Sequence, residues 1–179
     1  MDEPSRDRTG LPALQVAACT LGGIVLIPLA LGLYYNCSIH ATLGLVGSIL
    51  IFQPVAAAIG IALGIPPLPV LLIMLSVGTA VILIFFFVCD LFAEKSPWLR
   101  GRLDAVNAIA KKSALFQKYG IITFIPFIWV PGVGLYGCVL LAWLFNWKDA
   151  RGIAVILAGW MLASLLVVGA AVGVMGYIR

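Results

Sequence analysis

Apolar residues dominate the chain from position 11 to position 89, and only short polar or turn-forming stretches divide them. After a polar tail over 1–10, Pro12 opens a first apolar stretch, 13–35, long enough for one transmembrane helix. Tyr34 and Tyr35 end it as interface aromatics, and Pro28 inside it predicts a kink of the kind membrane helices tolerate. A short connection at 36–40 leads into a second stretch, 41–65, closed by Pro66 and Pro67. An unbroken run over 68–89 predicts a simple span ending at Asp90 and Glu94. Ser96 and Pro97 then form an N-cap and first-turn proline signal. Leu99, Leu103, Val106 and Ala110 follow at helical spacing, with Arg100, Asn107 and Lys111 elsewhere on the circumference. That segment is either an interfacial amphipathic helix or a solvated charged loop. A fifth stretch, 119–147, and a last span, 153–178, are separated by Lys148, Asp149 and Arg151.

The second and fifth stretches share a pattern. Pro54 is followed six residues later by Gly60, and Pro131 six residues later by Gly137, each near the middle of its stretch. Proline inside a helix removes a hydrogen bond and clashes with the preceding turn. Breaks at corresponding places in two halves of a membrane chain point to a transporter-type site. The flanking arms, 41–53 and 55–64, are each shorter than the roughly 20 residues a crossing needs, and so are 119–130 and 132–145. Each pair forms either a re-entrant hairpin or one kinked span.

Charge bears on that choice. Hydrophobic residues make up 63% of the 179 and charged residues only 10%, against roughly 25% in ordinary soluble domains. No Asp, Glu, Lys or Arg occurs between Arg8 and Asp90, which makes this an integral membrane chain. The first ten residues mix Asp2, Glu3 and Asp7 with Arg6 and Arg8, unlike a cleaved secretory leader. The net charge of +4 arises mainly from Lys95, Arg100, Arg102, Lys111, Lys112 and Lys118, the signature of a cytoplasmic loop and not of nucleic-acid binding. If both broken stretches return to the side they entered, the N-terminus, this loop and the Lys148/Arg151 turn all face the cytoplasm. If both cross, the Lys148/Arg151 turn lies outside. The positive-inside rule favours the first arrangement.

The expected fold is therefore an all-α integral membrane protein of two inverted halves, each with a Pro-broken hairpin and whole transmembrane helices. The single membrane domain, 1–179, divides into a tail (1–10), a first half (11–93), a basic segment (94–118) and a second half (119–179). It is expected in a prokaryotic cell membrane, with the basic segment cytoplasmic.

Half-helices beginning at Val55 and Gly132 turn unpaired amides and a positive dipole end toward the tips, favouring anionic oxygen. Gly132, Gly134 and Gly137 allow close backbone approach. Gln53 either bonds a ligand or satisfies backbone freed at its own tip. The substrate-binding candidates are Gln53, Pro54, Val55, Gly60, Pro126, Pro131, Gly132, Gly134 and Gly137. Asp90 is the proton-coupling candidate, with an interfacial carboxylate paired to Lys95 or Arg100 as the other reading. His40, the only histidine, is a surface residue or a proton relay. Gly60 with Gly64, and Gly169 with Gly173, fit close helix packing. Cys19, Cys37, Cys89 and Cys138 lack metal spacing, no cofactor motif is present, and no hydrolase or nucleotide-binding motif suggests an enzyme.

Tyr119-Gly120, Phe124-Ile125-Pro126, Val130-Pro131-Gly132-Val133-Gly134 and Gly137, before a last span rich in small residues, resemble the small multidrug export family. Phe52-Gln53-Pro54 through Ala62-Leu63-Gly64-Ile65-Pro66-Pro67 is similar to that family's N-terminal repeat. The resemblance covers about 43–173. More distantly the chain resembles the DedA/VTT group, whose members imply paired re-entrant hairpins and movement of lipids or lipid phosphates. An acidic residue followed by arginine often comes just after the first-repeat proline in the export family. Here Val55, Ala56, Ala57 and Ala58 carry no charge. The expected function is transport or flipping of a small anionic or lipid-linked substrate, with membrane lipid as partner and a homodimer as the assembly. A membrane scaffold or complex subunit and an ion channel are the other classes.

Overall fold

The computed structural model describes residues 18, 20, 22–95, 134–144 and 149–178, which are helical apart from a few turn residues, with no strand among them. Helix α1 (Gly22–Tyr34) begins with a π-helical turn over Gly22–Leu26. Helix α2 is Ile39–Phe52, followed by a 3-10 turn at Gln53–Val55 and helix α3 (Ala56–Ala62). Helices α4 (Pro67–Lys95), α5 (Gly134–Leu144) and α6 (Ala150–Ile178) complete the described chain. Pro126, Pro131, Gly132 and the basic segment lie outside the described residues, and so does the reading of 99–110 as an amphipathic helix.

Among the described residues, three stretches are long and apolar enough to cross a membrane: Ile39–Ala62, Pro67–Ala93 and Ala150–Val174. This is an integral membrane protein. The first of the three is not a straight rod, however. A Cβ on Gly44 would lie 3.4 Å from the Leu63 side chain, and one on Gly60 would lie 3.0 Å from that of Leu45. In a continuous helix, residues 44 and 63 would stand about 28 Å apart at 1.5 Å per residue. The chain instead doubles back at Gln53, and α2 and α3 form a hairpin. Its longer arm, 14 residues, reaches about 21 Å, less than the roughly 30 Å of a hydrocarbon core.

The hairpin's open end lies between two helix stops of the same kind. After α1, Asn36 adopts φ 54, Cys37 N–H bonds Gly32 C=O at 2.7 Å and Asn36 N–H bonds Leu33 C=O at 3.1 Å. After α3, Gly64 adopts φ 82, Ile65 N–H bonds Gly60 C=O at 3.1 Å and Gly64 N–H bonds Ile61 C=O at 3.0 Å. Both are Schellman closures, in which a left-handed residue lets the chain turn away with its last carbonyls paired. Gly64 is therefore a turn glycine, not the packing glycine expected from its spacing to Gly60. Gly60 does pack closely, against Leu45 and Val70.

Pro28 does more than kink α1. In a π-turn the carbonyl of residue 23 looks to the nitrogen of residue 28, which here is proline and carries no hydrogen. Ser76 of α4 supplies the donor, its hydroxyl reaching Gly23 C=O at 2.8 Å. A neighbouring helix thus repairs the freed backbone, as hydrocarbon surroundings require. Gly23 sits against Ala80 and Ser76, and the groove between the helices is lined from Gly23 to Leu31 of α1 and from Leu72 to Leu83 of α4. Helix α1 therefore runs on from Gly23 toward the Leu72 end, and the two helices are antiparallel.

Helix α5 runs parallel to α4. Phe85 meets Tyr136 with ring centroids 6.1 Å apart, and farther along both helices Asp90 meets Trp143. The C-terminal ends of α4 and α5 therefore lie toward the same side. Helix α6 returns across α3, α4, α5 and the 3-10 turn. Trp160 fills its centre against Gly78, where a Cβ would collide with the indole ring. The described core joins Leu45 and Ile49 of the hairpin with Ile73, Met74 and Val77 of α4, Val139 of α5 and Ile156 of α6.

Candidate functional site

The first proline break meets the start of α5. Gln53 sits at the reversal with φ 53 and ψ −126, a conformation that favours glycine, yet it keeps a long side chain and is only 5% exposed. Its Oε1 accepts the Leu135 backbone N–H at 3.0 Å, across 82 positions of sequence. Leu135 lies in the first turn of α5, where N–H groups have no intrahelical partner. The carboxamide passes over Gly134 so closely that any Cβ there would collide with Oε1. Gly134 thus serves the close approach its type permits, and what approaches is the other tip.

A second bond closes the junction. The Leu50 carbonyl lies four residues before Pro54, whose nitrogen has no hydrogen to give it. The Tyr136 hydroxyl donates to that carbonyl at 2.7 Å. Each break therefore leaves a polar backbone group, and the opposite half supplies its partner. The donors are fixed by α5 and the acceptors by α2 and the 3-10 turn.

The remaining candidates fall around this junction unevenly. Pro54 and Val55 lie in the 3-10 turn, and the Val55 side chain is exposed. No free half-helix start exists there, because the Ala56 N–H closes onto the Gln53 carbonyl and α3 has only seven residues. Gly60 faces Leu45 and Val70 inside the hairpin, and Gly137 is half-buried one turn into α5. The first arm of the second break, with Pro126, Pro131 and Gly132, is outside the described residues.

Asp90 lies within α4, which continues to Lys95, and its Oδ1 accepts the Trp143 Nε1–H of α5 at 2.8 Å. Side-chain pairing with Lys95 or Arg100 lies outside the described residues. His40 is exposed in the first turn of α2. Among the described residues Cys37, Cys89 and Cys138 form no disulfide, and no cluster of three or more metal-binding side chains occurs. An open, largely apolar groove of about 350 Å³ separates α1 from α4, lined by Ile27, Leu31, Leu72, Ser76 and Thr79 among others. None of the junction residues lines it, and both its hydroxyls are bonded, Ser76 to Gly23 C=O and Thr79 to Leu75 C=O.

Two of these contacts were hidden from the sequence. Tyr136 lies inside the second break, but its target, Leu50, belongs to the first. Trp143 falls six residues beyond Gly137, and nothing in local spacing links it to Asp90.

No curated protein and no solved structure matches the chain. The family model described as "Putative small multi-drug export protein" matches residues 53–166, from the tip glutamine through both breaks and into α6. With well over half its length so matched, the chain belongs to that family.

Proposed function

We propose that the chain is a small membrane transporter whose gate is the junction between the two proline-broken segments, passing a small anionic or lipid-linked substrate. The family description points to export and to a transporter rather than an enzyme. The observation that carries the reading is the Gln53 Oε1 to Leu135 N–H bond. It joins corresponding breaks of the two halves, and it shows an oxygen acceptor seated on an amide at a helix start. The arrangement is then a closed gate, with the protein's own carboxamide holding the position a substrate oxygen takes when the hairpins part.

Opening frees the Leu135 N–H and the Leu50 carbonyl, and each must find water or substrate. The parallel course of α4 and α5 supports a second broken segment that returns to its starting side. On this reading the basic segment 94–118 and the Lys148/Arg151 turn share one side, the cytoplasmic one by the positive-inside rule. In this reading Asp90, bonded to Trp143, couples a proton to the motion. A neutral carboxyl accepts the Trp143 indole more weakly than a carboxylate does, so protonation loosens α4 from α5.

The test is flux through purified protein in vesicles, using a panel of anionic and lipid-linked solutes. Wild type should give saturable flux, and Gln53→Ala should change its KM or convert it to a leak. Flux no greater than in protein-free vesicles, for both proteins and every solute, rejects the reading.

One observation favours a second reading, a membrane scaffold. Gln53 and Tyr136 seal the tips, whereas the open groove is apolar and lies elsewhere. A scaffold predicts no flux and a stable complex with another membrane protein on purification.

A further inference from the structure

Among the described residues Trp160 is the largest side chain that is completely buried, and its indole Nε1–H has no hydrogen-bond partner among them. Native interiors leave few such donors unpaired, and each exception needs a physical explanation. The ring is not free to swing toward a partner. Its six-membered edge lies flush on Gly78 of α4, with Cζ3 2.5 Å from where a Cβ would stand. A glycine at position 78 makes the space, and the indole fills it and fixes the direction of the N–H.

Its surroundings define the missing partner. One turn along α6, Ser164 is also completely buried, and its hydroxyl donates to the Trp160 carbonyl at 2.9 Å. That leaves hydroxyl lone pairs on the same helix face as the indole. The buried polar side chains among the described residues are Thr20, Thr42, Gln53 and Ser164, none of them charged. An anion at Trp160 would be desolvated with no described countercharge, a cost one indole donor does not offset. An uncharged oxygen needs no countercharge.

We infer that the Trp160 Nε1–H holds a neutral acceptor oxygen inside the bundle, from a carbonyl- or hydroxyl-bearing apolar guest or from a buried water. Helix α6 is the surface on which the 3-10 tip turn, α3, α4 and α5 all pack. A guest held there touches an element on which helices of both halves pack. The inference stands on Trp160 and Gly78 alone and does not depend on the gate proposed above.

The test reads the indole N–H directly. Full-length protein carrying ¹⁵N-indole tryptophan is placed in nanodiscs, and the Trp160 resonance is assigned with Trp160→Phe. If that variant does not fold, replacing Trp98, Trp129, Trp143 and Trp147 singly assigns it by elimination. The probes are 1-octanol, a neutral hydroxyl on an apolar chain, and sodium octanoate, its charged counterpart. Octanol should move the Trp160 resonance saturably and octanoate should not, and Gly78→Ala, which displaces the ring, should abolish the response. A resonance already hydrogen-bonded, with a cross-peak to water and no response to octanol, identifies the acceptor as water and also supports the inference. A resonance typical of an unpaired indole, with no water cross-peak and no response to octanol, overturns it. So does an equal response to octanoate.

Discussion

Gln53 adopts a backbone conformation that costs a non-glycine residue about 1–3 kcal/mol, yet its side chain forms the bond between the halves. Those two effects can be separated. Gln53→Ala keeps the strain and loses the bond, whereas Gln53→Gly loses both. Chemical unfolding in detergent should therefore find the glycine variant more stable than the alanine variant by about 1 kcal/mol. An alanine variant equal to or above the glycine one would mean the strain is absent. Gly134→Ala should cost about 1–3 kcal/mol, because the new methyl meets Gln53 Oε1. Adding Gln53→Ala removes the atom it meets, so the double variant should lose less than the sum of the singles. Strict additivity would separate the two residues. The sequence marked both positions, Gln53 as the amide beside a break and Gly134 as a site of close approach. It did not show that each is the reason for the other.

At the scale of elements, two prolines are repaired by hydroxyls from other helices. Ser76 serves the Gly23 carbonyl upstream of Pro28, and Tyr136 serves the Leu50 carbonyl upstream of Pro54. Tyr136→Phe should destabilise by about 1 kcal/mol, the scale of hydrogen bonds between transmembrane helices. In α1, Pro28→Ala restores an N–H and lets the π-turn relax. Ser76→Ala should then cost less in that background than in the wild type, measured as a double-mutant cycle. An equal cost in both would mean the Ser76 bond has nothing to do with the proline. The prolines were plain in the sequence, but their repair was not, because a hydroxyl 53 or 86 residues away leaves no local pattern. Helix α4 runs to Lys95, close to the end expected at Asp90 and Glu94. Asp90 stays inside the helix, and its partner Trp143 is a tertiary contact that no local pattern announces.

For the whole molecule, the directions of the helices make a topological prediction. In a cysteine-free background, single cysteines at Tyr34 and Leu63 should label from one side of the membrane. Those at Phe92 and Asp149 should label from the other. All four positions are exposed and flank helix ends. Tyr34 and Leu63 labelling from opposite sides would mean that 39–62 crosses the membrane, contrary to the hairpin contacts at Gly44 and Gly60. Phe92 and Asp149 on opposite sides would exclude a second segment that returns to its own side.

The chain by itself determined its environment, its helical class and the places where its helices break. Those properties follow from composition, from runs of apolar residues and from proline chemistry, all of which act within about 20 residues. Tertiary structure decided what the breaks are for. Whether 39–62 turns back depends on Leu45 meeting Gly60 and Gly44 meeting Leu63. Whether Gln53 serves its own tip or the other depends on where α5 begins in space. A broken helix exposes donors and acceptors whatever its sequence neighbours are, and with no water in hydrocarbon only packing against a distant segment can pair them.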